Sequence, residues 1–224
     1  MRRTRRFSLT ALFAALAMVS LAATVSASSM RWGGEVWGAF NTHTMGDWND
    51  AIDQANASGS NFDNIRSGFS FGVGPTMIVN NQWQFGAHYE RLNAKSSEDA
   101  SIQQKLSPSA NSFGVSGMYL FPSKGMAAFG LGLSLDFTNL SGNLEASGTE
   151  LKIEGSGVGG QLLGSARYAF SPMFSGNLTA GYRLANIDID TVGGASTAGS
   201  TLNSEDYSGV VVRAGLSLSQ PSSK

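Results

Sequence analysis

The 224-residue chain has no cysteine, so it can hold neither a disulfide framework nor a thiolate metal or redox centre. Only 14% of its residues are charged. No His, Asp or Glu spacing suits a metal, no glycine-rich loop suits a phosphate, and no nucleotide fingerprint appears, so no cofactor is expected. Beyond residue 25, no stretch approaches the roughly 20 apolar residues of a membrane helix. If the rest of the chain crosses a membrane it must do so as a closed barrel, because only that alternative satisfies every backbone group inside lipid.

What is present begins with a leader. Arg2, Arg3, Arg5 and Arg6 precede an uncharged apolar run from Leu9 to Val25, and Val25 and Ala27 then supply the small residues of a cleavage site. These are the parts of a secretory signal peptide, and cleavage is expected after Ala27. The expected division is a leader over 1–27, a folded domain over 28–219 and a polar tail over 220–224. Without the four leader arginines, 11 of the 15 basic residues remain against 16 acidic ones. That diffuse acidity argues against a nucleic-acid partner.

The domain has 28 glycines and many Ser, Thr and Asn, a composition shared by disordered chains and glycine-rich β proteins. Periodicity decides for β. In GMAAFGLGLSLDFTNL, Phe129, Leu131, Leu133, Leu135 and Phe137 alternate with Gly130, Gly132, Ser134, Asp136 and Thr138, giving one greasy face and one small or polar face. The same alternation recurs around Phe113–Phe121, Trp83–Tyr89 and Val210–Leu218. It predicts eight strands, over 31–41, 64–79, 82–94, 110–121, 126–140, 152–170, 173–189 and 206–219. Tight turns are predicted at Asn80–Asn81, Pro122–Lys124 and Ser171–Pro172, and long polar loops over 42–63, 95–109, 141–151 and 190–205. A soluble barrel would need a charged outer face. The polar face here is mainly Gly, Ser, Thr, Gln and Asn, which suits a crowded lumen.

Trp83, Phe85, Tyr119, Phe121, Tyr168 and Phe170 flank the three short turns, as one interfacial girdle of a membrane barrel would, and Phe40, Phe69, Tyr89 and Phe137 sit toward the other end. With its leader, eight-strand meander and girdles, the chain resembles the OmpA/OmpX-like small outer-membrane barrels over about Met30 to Ser219. The resemblance implies an all-β fold, an eight-stranded antiparallel up-and-down transmembrane barrel in the bacterial outer membrane. Its short turns and both chain ends would be periplasmic. The implied partners are outer-membrane lipid and lipopolysaccharide, the barrel assembly machinery, and an extracellular ligand of the long loops. The chain departs from the family at its end, where Leu216 and Leu218 precede a polar tail instead of a final aromatic residue, and no peptidoglycan-binding domain is expected.

On the lumen face the pattern places Glu35, Glu90 and Asp136 with Arg167, Arg183 and Arg213. Burying three charges of each sign in so narrow a barrel demands that they pair, which predicts a salt-bridge plug. The alternative is a narrow pore for small solutes or ions, and a third reading is a lipid-modifying enzyme built on His88 and a serine. Catalysis is not expected, because such a triad would have to face lipid near a rim. The first loop carries a helical stretch, GDWNDAIDQANASG, with Asp47 as cap and Trp48, Ala51, Ile52 and Ala55 as its apolar stripe. It would lid the barrel or meet an outside partner. Asp47, Asn49, Asp50 and Asp53 lack the turn glycine and terminal glutamate of a calcium loop. The favoured function is therefore a non-enzymatic envelope protein whose barrel is an anchor and whose loops face outward.

Overall fold

The alternating segments pair into a single closed sheet. In the computed structural model, which describes residues 30–57, 64–94, 105–123, 125–146, 149–197 and 204–220, the strands are β1 (Met30–Thr42), β2 (Ser67–Val79), β3 (Trp83–Ala94), β4 (Lys105–Leu120), β5 (Ala127–Ala146), β6 (Thr149–Ala169), β7 (Phe174–Val192), β8 (Ala195–Ser196), β9 (Ser204–Asp206) and β10 (Gly209–Ser219). Helix α1 (Gly46–Ala57) follows β1. Strands β1 to β7 pair in sequence order, all antiparallel, and β10 pairs with both β1 and β7 to close an eight-stranded up-and-down barrel. Residues 1–29 and 221–224, and with them the leader, its cleavage site and most of the polar tail, lie outside the described residues.

The stagger of the barrel follows from the pairing. Tracing partners from Met30 through Val79, Trp83, Tyr119, Leu131, Gly164, Ala180 and Val212 returns to β1 at Phe40, ten residues on. Eight strands with that shear tilt by about 40° and enclose an interior that side chains can fill. The β2–β3 ladder is interrupted at Gly74–Pro75, where the partners stop at Val73–Tyr89 and resume at Thr76–Gly86, and the β6–β7 ladder shifts register between Glu154 and Gly155. Proline has no N–H to donate to the ladder.

The tight turns behave as their residues dictate. Asn80 and Asn81 both adopt positive φ, 52° and 57°, which asparagine tolerates, and Gln82 N–H returns to the Val79 carbonyl at 3.1 Å to close the turn. At Ser171–Pro172 the Ser171 hydroxyl accepts from the Met173 and Phe174 amides.

Three of the four expected long loops are not loops throughout. Strand β5 runs on to Ala146 and β6 starts at Thr149, so 141–151 is the end of a long hairpin. Within 190–205, β7 turns back through Gly193 and Gly194, at φ 58° and 80°, into β8, and β9 then pairs with β7. Strand β4 also starts at Lys105, inside the loop expected over 95–109. Alternation continues in these extensions with its polarity exchanged. On β5 the outer face passes from Phe137 to Asn139 and Ser141, on β7 from Leu184 to Asn186, Asp188 and Asp190, and on β3 from Tyr89 to Arg91. The inner face changes the other way, from Asp136 to Leu140, from Arg183 to Ala185, Ile187 and Ile189, and from Glu90 to Leu92.

The barrel therefore has two tiers. The short-turn tier is apolar outside and polar inside, as lipid requires. The long-loop tier is polar outside and apolar inside, as water requires. From Leu184 to Asp190 the second tier rises about 15 Å at 3.3 Å per residue and the barrel tilt.

Candidate functional site in the barrel lumen

Because lumen residues recur every second position on strands staggered by the shear, polar side chains from all eight strands converge at mid-height. Glu90 is fully buried, and its Oε2 accepts from Arg183 Nη2 and Arg213 Nη2, both at 2.8 Å. Its Oε1 accepts from the Ser70 hydroxyl at 2.6 Å. Asn41 donates to Ser70 Oγ and accepts from Arg183 Nη1, which closes a ring around the carboxylate. Arg213 also donates to Gln161 Oε1, and Gln161 Nε2 donates to Asp136 Oδ2 at 2.8 Å. Asp136 Oδ1 lies 2.7 Å from His88 Nε2. Gly114 makes room for this last pair, since a Cβ there would collide with both the aspartate carboxylate and the imidazole.

All six lumen charges face inward, but not in three direct pairs. Glu90 holds two arginines, Asp136 takes His88 as its charged or hydrogen-bonding neighbour, and Glu35 reaches Arg167 through Gln84, whose amide donates to Glu35 at 3.5 Å and accepts from Arg167 at 2.9 Å. Arg167 Nε donates to Asn177, which donates in turn to Ser217. Side-chain amides and hydroxyls thus complete what charge alone does not. Asn41, Ser70, Gln84, Gln161 and Asn177 were missed in the sequence, although each sits on the lumen phase of its strand.

Among the described residues no serine joins His88 and Asp136 as a hydrolytic triad. Ser134 donates to Asp136 at 2.9 Å and not to the imidazole, and His88 stacks edge-on against Trp37, 5.9 Å away. Among the described residues no group of three His, Asp or Glu could hold a metal.

Above the charges lies an apolar cap. Met45, Ile52, Ile65, Leu92, Ala110, Leu140, Ile153, Ile187, Ile189 and Tyr207 form one buried cluster. Helix α1 contributes Ile52, and Asn49 ties it to the returning chain by accepting from the Ile65 amide at 2.7 Å and donating to the Ile65 carbonyl. The helix begins at Gly46, so Asp47 lies within its first turn and not at the cap; the side chains of Asp47, Trp48, Ala51 and Ala55 lie outside the described residues.

His43 is buried beneath this cap, edge-on to Tyr207 with 5.5 Å between ring centroids. Burial, helped by the charge of Arg183, pushes its imidazole down to about 4, and burial likewise pushes the Tyr207 phenol up. An imidazole kept neutral in the closed state titrates near 6.5 once exposed. The closed cap is thus fully stable above pH 6.5 and loses stability as pH falls toward 4, because the open state binds the extra proton. Amide exchange at 43–52 and 207 should therefore report a cap weakened by about 2–3 kcal/mol at pH 4.5 relative to pH 7.5. His43→Leu should abolish most of that dependence; an unchanged dependence would assign it to another group.

The six short-turn aromatics share one end of the outer face. Trp83 meets Tyr119 at 5.0 Å between centroids, Tyr119 meets Phe121 at 5.5 Å, and Tyr168 meets Phe170 at 5.6 Å; Phe85 stacks beside Trp83. Trp32 and Phe174, both exposed, extend the same band. At the other end, Phe40 packs on Phe69 and Tyr89 on Phe113.

Among solved structures, a major outer membrane protein from Thermus thermophilus superposes on this chain with a TM-score of 0.52 at 10% identity, over 84% of this chain and 99% of that one. This chain has the OmpA/OmpX-like fold of the small outer-membrane β-barrels. Neisserial surface protein A matches with a TM-score of 0.48 at 18% identity, over 84% and 96% of the two chains, and the outer membrane protein OprG from Pseudomonas aeruginosa with 0.48 at 13%, over 87% and 97%. At these identities the likeness is one of fold. No family model and no curated protein matches this chain.

Proposed function

We propose that this protein is a non-enzymatic component of the bacterial outer membrane, exported by a leader cleaved after Ala27, with the barrel as anchor and the water-facing tier and loops as its working surface. The observation that carries this reading is a lumen occupied at two heights, by the Glu90–Arg183–Arg213 cluster and by the apolar cap above it. The exposed belt from Phe129 to Phe137 and the aromatic ends of the strands support lipid as the surrounding solvent. Lipopolysaccharide would meet the outer rim, the assembly machinery would insert the chain, and an extracellular ligand would meet the loops. In planar bilayers the refolded protein should show no steady channel. Steady unitary conductance would favour the narrow pore.

Orientation is testable separately. An epitope inserted after Gly194, at the tip of the β7–β8 hairpin, should bind antibody on intact cells, whereas one after Ser123 should need a permeabilised outer membrane. The opposite result would invert the protein in the membrane.

A further inference from the structure

We propose that the outer face of β3 to β7 holds one phospholipid acyl chain in a fixed groove, a site distinct from the exchanging lipid around the rest of the belt. The groove has a volume of about 810 Å³ and crosses the strands obliquely, from Trp83 and Phe85 on β3 to Tyr182 and Leu184 on β7. Register explains why it is there. Phe85, Gly117 and Leu133 are successive partners in one row, and Leu135, Gly160 and Leu184 in the next row toward the long loops. Each row thus carries a glycine between bulky neighbours, so the surface sinks at Gly117 and Gly160.

Chemistry, length and shape specify the occupant. The side chains that line the groove are apolar or aromatic, except those of Ser134 and Gln161, and these two are turned into the lumen, where both donate to Asp136. From β3 to β7 the groove crosses four strand spacings, about 19 Å, and at a strand tilt of about 40° it rises about 12 Å. One leaflet is about 15 Å deep, half of a hydrocarbon core of roughly 30 Å. The lower end starts where Trp83 meets Phe85 and Tyr119, on the short-turn girdle that marks the headgroup level, so the chain enters from that leaflet. A second copy of the protein fits poorly. An isologous contact sets the same patch against itself, and groove facing groove would leave a void that close packing does not tolerate. A flexible hydrocarbon chain fills it. The inference rests on the reading of the apolar belt as lipid-facing.

The test fills the groove from its floor. At Gly117 a Cβ meets only the Phe85 ring, at 3.7 Å, an ordinary contact, so Gly117→Leu occupies the groove without straining the wall. Gly38→Leu is the control, adding the same side chain to the outer face of β1, where a Cβ has nothing within 4 Å. The full-length mature protein, extracted from membranes in mild detergent, should carry a single phospholipid per barrel in native mass spectrometry. A phosphatidylcholine with a brominated acyl chain, titrated into the same micelles, should quench the tryptophan fluorescence saturably, and Trp83→Phe should remove the saturable part. Gly117→Leu should lose the retained lipid and weaken the saturable quenching at least tenfold, while Gly38→Leu matches the parent. Should Gly117→Leu fail to fold, Leu162→Ala, which trims an exposed wall side chain, should weaken retention in the same way. Parental retention in the groove variant, or quenching that stays linear in lipid, would overturn the groove and leave the belt lipid-facing. A parental dimer that Gly117→Leu converts to monomer would overturn it in favour of a second copy. No quenching at all, even of Trp32 on the exposed belt, would overturn the lipid-facing reading and the groove with it.

Discussion

Glu90→Ala should destabilise the barrel more than any other single substitution in the lumen, by about 3–5 kcal/mol, because it strands buried charge. The asymmetry is specific to the observed geometry. Glu90 serves Arg183 and Arg213 at once, so its loss leaves two guanidinium groups without their carboxylate, whereas Arg213→Ala leaves Glu90 still held by Arg183 and Ser70. Three independent pairs would give equal penalties for the acid and for either base. The shared carboxylate gives a larger penalty for the acid. Adding Arg213→Ala to Glu90→Ala should recover part of the loss, since one stranded charge is then removed along with its partner. Urea unfolding of the four proteins refolded in bilayers measures the cycle. Equal penalties for Glu90→Ala and Arg213→Ala would show that the two arginines do not depend on one carboxylate.

The same arrangement shows how far the sequence could be read. The inner and outer faces of the short-turn tier are legible because period-2 alternation sets an unbroken apolar row, Phe129, Leu131, Leu133, Leu135 and Phe137, against small and polar residues on the same strand. The upper tier reads as strand only as far as Leu140 on β5 and Ile189 on β7, although pairing continues beyond both, Asn143 with Lys152 and Thr191 with Glu154. There the apolar face has changed sides, and Gly, Asn and Ser at the outer positions imitate loop composition. Pairing partners could not be read either. The shear of the barrel decides whether Arg213 meets Glu90 or Glu35, and shear belongs to the closed sheet and not to any one strand. The contributions of Met45, Ile65 and Tyr207 to the cap were hidden because they lie in non-repeating chain, where no period marks a buried side chain.

The exchange of polarity between tiers also fixes where a charge on the outer face should be harmful, and this yields the sharpest contrast available on a single strand. Leu133 lies midway between Phe129 and Phe137 on the outer face, 64% exposed on the isolated chain, and so faces the middle of the lipid if the belt is a lipid belt. Leu133→Arg should therefore cost about 2–4 kcal/mol, the range for a basic residue at the bilayer midplane. Asn139→Arg, on the same strand, face and sheet but six residues nearer the long loops, should cost about 0–1 kcal/mol, because it lies at the edge of the water-facing tier. Ser134 is buried in the lumen, where its hydroxyl donates to Asp136, so Ser134→Arg should be harmful for a different reason, crowding and a broken hydrogen bond. Only the Leu133 penalty should depend on the solvent around the barrel. It should grow as bilayer thickness increases and shrink in small detergent micelles, where an arginine reaches water easily. Parallel unfolding titrations in bilayers of two chain lengths and in micelles separate these cases. A Leu133→Arg penalty equal to that of Asn139→Arg and unaffected by bilayer thickness would mean that the apolar outer face is covered by something other than lipid.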